Sequence, residues 1–442
     1  MEWWQTIILL IGGLLVLFAL GLPVAFSFIV VNLIGAYILW GGFVGLEQLI
    51  FSMFASVSTF TLLPVPLFVL MGEIMLHSGI GFNLLDALDR WMGRLPGRLS
   101  LLGVGGGTLL SALSGSSMAT TAILGTLLLP EMEKRGYKKQ MTIGPLIGSG
   151  GLAMIVPPSA MAVILGSIAE ISIGQLLISG FIPGIIIASM YASYIILRCW
   201  INPSIAPAYT VSGIPLSEKI SFTIIYVLPL GLIIFLVIGL ILLGVVTPTE
   251  SAAIGCLGTF FLAAAYKRLT WKIIKKSVFG TLQVSAMMYL ILTGSIAFSQ
   301  ILAFSGATRG LVEFSVGLNL PPMALVVGMQ CIMLILGCFM DPVSVIMITV
   351  PIYMPLIETL GFSLVWIGLV MLINIEVATE TPPFGFLLFV TKGVAPPGTT
   401  MGDIYRSVIP FVIIDCIAII VVLVFPQLAL WLPGIMFNSG GG

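Results

Sequence analysis

The chain has 442 residues, 59% of them hydrophobic and only 8% charged, with 17 Lys and Arg balancing 17 Asp and Glu. A soluble domain carries about 25% charged residues, so this chain cannot cover a soluble fold of its length. A disordered chain, a disulfide scaffold and a nucleic-acid binder are excluded with it, which leaves an all-α polytopic membrane protein in contact with lipid.

A crossing helix needs about 20 apolar residues. In chain order, crossings are predicted near 5–21, 23–42, 60–78, 141–169, 181–200, 221–246, 250–266, 279–304, 364–392 and 408–432, about ten transmembrane helices. The first two are read as mature spans, because no basic segment precedes them as a signal would require. Residues 83–98 place Leu84, Leu85, Leu88, Trp91, Met92 and Leu95 on one helical face, with Asp86, Asp89, Arg90 and Arg94 opposite. That pattern predicts an amphipathic helix lying in the membrane interface.

Two apolar stretches, 99–130 and 321–356, are too long for one crossing and too short for two with a turn. Each is broken in its middle, the first by SALSGSSMATT (Ser111 to Thr121), the second by GCFMDPVS (Gly337 to Ser344). Two re-entrant hairpins fit, since irregular backbone at membrane depth is tolerated only inside protein or beside a polar cavity.

Charge placement orients them. Arg90, Arg94, Arg98, Lys134, Arg135, Lys138 and Lys139 flank the first stretch on both sides, so both its ends are predicted cytoplasmic. The second has only Arg309 before it and no Lys or Arg from Asp341 to Lys392, so it is predicted to enter from outside. Lys267, Arg268, Lys272, Lys275 and Lys276 form a further cytoplasmic loop, and counting crossings puts both termini outside. The five cysteines show no metal or redox spacing and read as small packing residues.

An internal repeat supports this arrangement. Pro23 and Pro248, Gly103 and Gly328, Pro130 and Pro355, Gly136 and Gly361, and Pro157-Pro158 and Pro382-Pro383 all stand 225 residues apart. The same shift lays Ser116 on Asp341. Matching segments of opposite orientation make an inverted-topology repeat, the architecture of many secondary transporters.

In such repeats, discontinuous helices at corresponding positions mark the binding site. Here they are 141–169, with GSGGLAMIVPPS (Gly148 to Ser159), and 364–392, with NIEVATETPPFG (Asn374 to Gly385). Proline frees carbonyls and glycine lets the chain unwind. Freed carbonyls with Ser and Thr hydroxyls suit a hard, weakly held cation such as Na⁺. The first cation site is predicted from Ser114, Gly115, Ser116, Gly150, Ile155, Val156 and Pro157. The second is predicted from Gly337, Met340, Asp341, Ala378, Thr379, Glu380 and Thr381. An anionic substrate is expected between the tips, near Ser117, Ser159 and Thr381, where helix N-termini present N–H groups. Asp341, Glu376 and Glu380 keep proton coupling open as an alternative, because a charge in the bilayer costs about 2.5–3.5 kcal/mol. No nucleophile–base pair, metal-ligand cluster or phosphate loop is present, so no enzyme is expected.

These residues resemble the large membrane subunit of tripartite ATP-independent periplasmic transporters. The resemblance runs the length of the chain, through GLPVAFSF (Gly21 to Phe28), SGSSMATTAILG (Ser114 to Gly125), PEMEKRGY (Pro130 to Tyr137), GSGGLAMIVPPS, VTPTESAAIG (Val246 to Gly255), MDPVS (Met340 to Ser344) and ATETPPFG (Ala378 to Gly385). It implies Na⁺-coupled import of an organic acid by an elevator-type transporter in a bacterial or archaeal inner membrane. It implies a periplasmic substrate-binding protein and a small four-helix membrane subunit as partners, the latter not expected within this chain. Carried onto this sequence, 1–60 and 203–277 supply scaffold and linker helices. Residues 61–202 and 278–442 supply the two transport parts, each with a hairpin and a broken helix. A stand-alone carrier of related fold, driven by Na⁺ or H⁺ without a binding protein, stays open.

Overall fold

The computed structural model describes residues 1–93, 95, 97–207 and 215–438, and every regular element among them is helical. Arg94, counted above in the first basic cluster, lies outside the described residues. Six helical runs are long and apolar enough to cross a membrane: Phe60–Ser78, Ile173–Ile201, Leu216–Leu242, Trp271–Phe304, Pro342–Thr359 and Met401–Val424. Shorter apolar helices include Trp3–Ala19, Val24–Leu39 and Pro322–Gly337. The expected crossings 141–169 and 364–392 are absent from the long runs because each is interrupted.

Both hairpins are present. The first consists of Arg98–Ser114 and Ser117–Lys134, with Gly115 and Ser116 at the tip. The second consists of Pro322–Gly337 and Pro342–Thr359, with 338–341 at the tip. The repeat is visible in the element bounds. Ser117–Lys134 and Pro342–Thr359 begin and end 225 residues apart, and so do the starts of Lys139–Gly151 and Leu364–Glu380. Both Pro157-Pro158 and Pro382-Pro383 bonds are cis.

Each hairpin is fastened to its own broken helix by side-chain-to-backbone bonds. In the first half the Ser100 hydroxyl donates to Met141 O at 2.5 Å and that of Ser111 to Ser149 O at 3.0 Å. In the second, Asn374 Nδ2 donates to Gln330 O and Oε1 at 2.7 Å, while Tyr353 ties the hairpin's two arms together by donating to Met329 O at 3.0 Å. Such bonds satisfy buried polar atoms and fix axial register at once. The long helix Trp271–Phe304 packs against Val24–Leu39, Phe43–Val57 and Pro64–Ser78.

Two expectations differ from the structure. Phe43–Val57 is a separate helix that the predicted crossings omit. The amphipathic helix expected over 83–98 is Ile80–Asp89. Beyond it the chain turns back through Gly93 and Gly97, both at positive φ, and Arg98 pairs with Asp89 at 2.7 Å. Glycine adopts that left-handed backbone at no steric cost, which lets the chain reverse after the helix has ended at Asp89. The helix docks on 218–223, where Arg90 pairs with Glu218 and lies 3.5 Å over the Phe222 ring. Trp91 Nε1 donates to Thr223 Oγ1 at 2.8 Å.

The connections near 97, 138–139, 199–205 and 403 gather at one end. Lys138 N donates to Ile205 O at 2.9 Å, Lys139 pairs with Asp403 at 2.8 Å, and Gly97 abuts Cys199. The opposite end brings together 59–64, 166–174 and 241–250 around a cavity of about 1050 Å³. His77 Nε2 lies 3.2 Å from Glu73 Oε2, one turn earlier on the same helix.

Candidate functional site

In the first half, Gly115 has φ +58 and ends the hairpin's first arm. A Cβ on Gly115 would lie 3.1 Å from Pro158 O and 3.7 Å from Ala160 N, so the tip is seated against the break of the helix. Ser116 caps the second arm, its Oγ accepting the Ala119 N–H at 3.4 Å. Ser114 Oγ lies 2.7 Å from Thr120 Oγ1. The broken helix runs from Lys139 to Gly151, continues as the short turn Leu152–Met154, and restarts at Ala160. Gly150 and Gly151 have the weakest helix propensity short of proline, and two prolines follow. A Cβ on Gly150 would come within 2.0 Å of Thr121 Oγ1, and that hydroxyl is buried without a partner.

Thr121 is thus a site residue that sequence reasoning missed. Its signal was available: it follows Ser117 by one helical turn, on the same face. Of the predicted residues Gly150 abuts it; the Ser114 carbonyl faces Gly72 of Pro64–Ser78, and Gly115 faces Pro158. Ile155 is not aimed there, because its carbonyl faces Gly180, where a Cβ would lie 2.1 Å away. Val156 packs on Gly184, and Pro157 is buried in the break between them and the tip.

In the second half, a Cβ on Gly337 would lie 2.5 Å from Ala378 Cβ, so tip and break meet again. Met340 and Asp341 follow in the tip. Asp341 caps the second arm, its Oδ1 accepting the N–H groups of Val343 and Ser344 at 3.1 Å and its Oδ2 the Ser344 hydroxyl. After Glu380 the chain leaves the helix and the carbonyls of Thr379 and Thr381 converge. Both point at the place a Gly385 side chain would fill, 2.6 and 2.8 Å from its Cβ. Only glycine fits so close to those oxygens, and the Thr381 carbonyl accepts the Gly385 N–H at 3.1 Å, which closes the turn after the break.

The hydroxyls assigned to an anion are partly engaged elsewhere. Ser159 Oγ donates to Met154 O at 2.7 Å and accepts the Ala162 N–H at 3.2 Å. Thr381 Oγ1 donates to Val377 O at 2.6 Å, and Thr379 Oγ1 to Glu376 O at 2.8 Å. Ser117 is buried at the start of its helix. Tip N–H groups are engaged as well, those of Ser116 and Ala119 by the Ser114 and Ser116 hydroxyls and those of Val343 and Ser344 by Asp341.

Glu380 contributes its backbone to the second site and turns its side chain away. Its carboxylate faces Gly151 of the first broken helix, where a Cβ would lie 2.2 Å from Oε1 and 2.9 Å from Glu376 Oε1. Both glutamates are fully buried with no hydrogen-bond partner on either oxygen. Asp415 and Tyr191 complete this acidic group, the Tyr191 hydroxyl donating to Asp415 Oδ1 at 2.5 Å. Among the described residues no set of three His, Cys, Asp or Glu stands in metal-holding geometry.

The family described as the tripartite ATP-independent periplasmic transporter, DctM component, matches residues 11–428. The ectoine TRAP transporter large permease protein TeaC of Halomonas elongata is 28% identical over 97% of this chain and 99% of its own length. The C4-dicarboxylate TRAP transporter large permease protein DctM of Rhodobacter capsulatus is 28% identical over 98% of this chain and 100% of its own. Among solved structures, the Alcanivorax borkumensis YdaH transporter superposes with a TM-score of 0.61 at 14% identity, covering 88% of this chain and 89% of that one. Neisseria gonorrhoeae MtrF gives 0.60 at 15% identity, over 87% and 83%. At such identities the likeness is one of fold.

Proposed function

The chain belongs to the DctM component family of tripartite ATP-independent periplasmic transporters, and from that premise we propose that it imports an organic acid together with Na⁺. It is a membrane transport component and not an enzyme, as its named relatives are permease proteins. The acid arrives on a periplasmic substrate-binding protein, and a small membrane subunit completes the complex. The basic end of the molecule faces the cytoplasm of a bacterial or archaeal cell. One observation carries the reading: each hairpin tip is seated on the break of its own repeat's helix, Gly115 on Pro158 and Gly337 on Ala378. Ser114, Ser116, Thr121 and Gly150 would hold one Na⁺. Thr379 and Thr381 carbonyls, with Met340 and Ala378 beside them, would hold the other. The substrate carboxylate sits between the tips near Ser117, Ser159 and Thr381. The two transport parts, 61–202 and 278–442, slide as one body against the scaffold helices, an elevator that carries the site across. A second reading, coupling to protons, is favoured by the buried acids Glu376, Glu380 and Asp415.

Uptake into proteoliposomes tests this. The chain is reconstituted with its small subunit, and Na⁺ and pH gradients are imposed separately, with and without the binding protein. Uptake needing both Na⁺ and the binding protein is the expected result. Uptake of free substrate, or uptake driven by a pH gradient alone, would replace it with a stand-alone or proton-driven carrier.

A further inference from the structure

The connection between Pro248–Ala265 and Trp271–Phe304 has no part in the sites above, yet it carries the densest charge of one sign in the chain. Lys267, Arg268, Lys272, Lys275 and Lys276 follow one another there, and all are exposed. Basic residues elsewhere at this end of the molecule have acids beside them: Arg90 has Glu218, Arg98 has Asp89, Arg135 has Glu131 and Lys139 has Asp403. Among the described residues the basic side chains of 267–276 pair with no carboxylate, and no Asp or Glu occurs from 251 to 312. Glu73, which lies against Gly280 one turn further along the long helix, is 3.2 Å from His77 Nε2 instead. Lys272 stands one helical turn from both Lys275 and Lys276, and these three open a helix whose N-terminus is the positive end of its dipole. Like charges at that spacing destabilise a helix unless an anion lies against them.

The charges are held in place. Lys267 takes φ +55, Arg268 N donates to Ala263 O at 2.9 Å, and Thr270 Oγ1 accepts the Ile273 N–H at 3.3 Å. A closed turn and a capped helix start present them, and aromatic side chains set their depth. Tyr266 donates to Ile225 O, its ring lies 5.5 Å from that of Tyr226, and Tyr226 lies 5.4 Å from Phe222, the ring under Arg90. Trp91, bonded to Thr223, and Trp271 are exposed. Trp and Tyr gathered in this way stand at the level of lipid headgroups. Phe261, Phe279 and Leu282, on the two helices that meet at the turn, are exposed apolar side chains that continue the surface away from the charges.

We propose that the 267–276 turn is a binding surface for anionic phospholipid. The basic side chains hold the phosphodiester headgroup, and Phe261, Trp271 and Phe279 lie along the acyl chains. A soluble phosphate would satisfy the charges alone; a lipid satisfies the charges and the apolar surface together. The inference is independent of the solute the chain carries and of the ion that drives it.

The test reconstitutes the chain with its small subunit in phosphatidylcholine vesicles. A minor fraction of the lipid is brominated high on the acyl chain, as either phosphatidylglycerol or phosphatidylcholine. Bromine quenches tryptophan fluorescence on contact, and the difference between the unmodified chain and Trp271→Phe isolates Trp271 from the other tryptophans. Quenching of Trp271 is expected to report about fivefold local enrichment of phosphatidylglycerol over phosphatidylcholine at low salt. Molar sodium chloride should make the two lipids equal, because charges are then screened within about 3 Å. Lys267→Gln, Arg268→Gln, Lys272→Gln, Lys275→Gln and Lys276→Gln together should do the same, while Arg in place of each lysine should keep the preference. The salt measurement needs no variant, so altered insertion of the neutralised chain cannot imitate the result. Equal quenching by the two lipids at low salt overturns the proposal. So does failure of either lipid to quench Trp271, since the small subunit would then cover the turn. So does a preference that glycerol phosphate abolishes at an ionic strength where chloride does not, since the surface would then serve a soluble anion.

Discussion

At the first hairpin tip stand Ser114, Gly115 and Ser116; 225 residues on, the second has Phe339, Met340 and Asp341. One helical turn further, Thr121 corresponds to Ile346. The break behind the first tip reads Gly150, Gly151, and the matching positions are Ile375 and Glu376. The backbone follows one template in both halves, while the first half lines it with hydroxyls and the second with acids and apolar groups. Where the broken helices cross, the asymmetry is required: Glu376 and Glu380 occupy the room that Gly151 leaves by having no side chain. A glutamate at both positions would put two like side chains in one place. The repeat therefore fixes where tips and breaks meet, and departures from it decide what each site can hold.

The largest effect should come from filling a tip-to-break contact. Gly337→Val forces a branched side chain into a space where even a Cβ would be 2.5 Å from Ala378. Uptake should fall to about one hundredth or below, because a packed contact cannot absorb the volume without moving the tip. Gly328→Val on the same helix, where nothing lies within 4 Å, should leave uptake near normal. If both variants transport alike, the seating of tip on break is not what holds the second site.

The hairpin bases differ as well. Arg98 clamps the first to the preceding helix: it is 2% exposed and pairs with Asp89. Met323 stands at the matching position of the second hairpin. Arg98→Met should cost about 2–3 kcal/mol, below the full figure for a broken buried pair because Asp89 still reaches water. Hydrogen exchange should then quicken in Arg98–Ser114 towards the rate of the more exposed Pro322–Gly337. Unchanged exchange would mean that packing alone holds the first hairpin.

Much of this was legible in the sequence for a physical reason. Glycine and proline dictate backbone breaks locally, so hairpins, broken helices and repeat could be read from their spacing. Phe43–Val57 could not, since apolar composition does not separate a crossing from a helix packed beside one. Nor could the acidic group: Glu380 reads as a second-site ligand and Glu376 only as a carboxylate that keeps proton coupling open. Their meeting with Asp415 and Tyr191 depends on how Met401–Val424 and Phe181–Ile201 pack against the crossing. Tyr191→Phe tests that group. It leaves Asp415 with no hydrogen bond on either oxygen and should cost about 1–3 kcal/mol in thermal unfolding. A neutral result would mean that the Tyr191 bond does not hold the cluster.

A smaller effect separates the two cation sites. Thr121→Val keeps the volume and removes a hydroxyl that has no partner within the protein. Stability should hold or rise slightly. If that oxygen completes the first site, the Na⁺ concentration for half-maximal uptake should increase about tenfold, the equivalent of about 1.4 kcal/mol. An unchanged Na⁺ dependence would return the first site to backbone oxygens alone and make the two halves more alike than their side chains suggest.

The smallest effect concerns the contact between the halves at the basic end. Lys139 opens the first broken helix and pairs at 2.8 Å with Asp403 in the first turn of Met401–Val424, with side chains 41% and 32% exposed. Asp403 does not depend on it: its Oδ2 also accepts the Thr400 N–H at 2.9 Å and hydroxyl at 2.8 Å, in a helix-starting position that favours negative charge. Lys139→Ala should therefore cost no more than about 1 kcal/mol, as exposed pairs do. Uptake should be untouched, because in the proposed mechanism both helices travel together and no step breaks this contact. A clear loss of uptake with normal assembly would say otherwise. The first broken helix would then be moving against the second repeat at this end, and the two halves could no longer be treated as one sliding body.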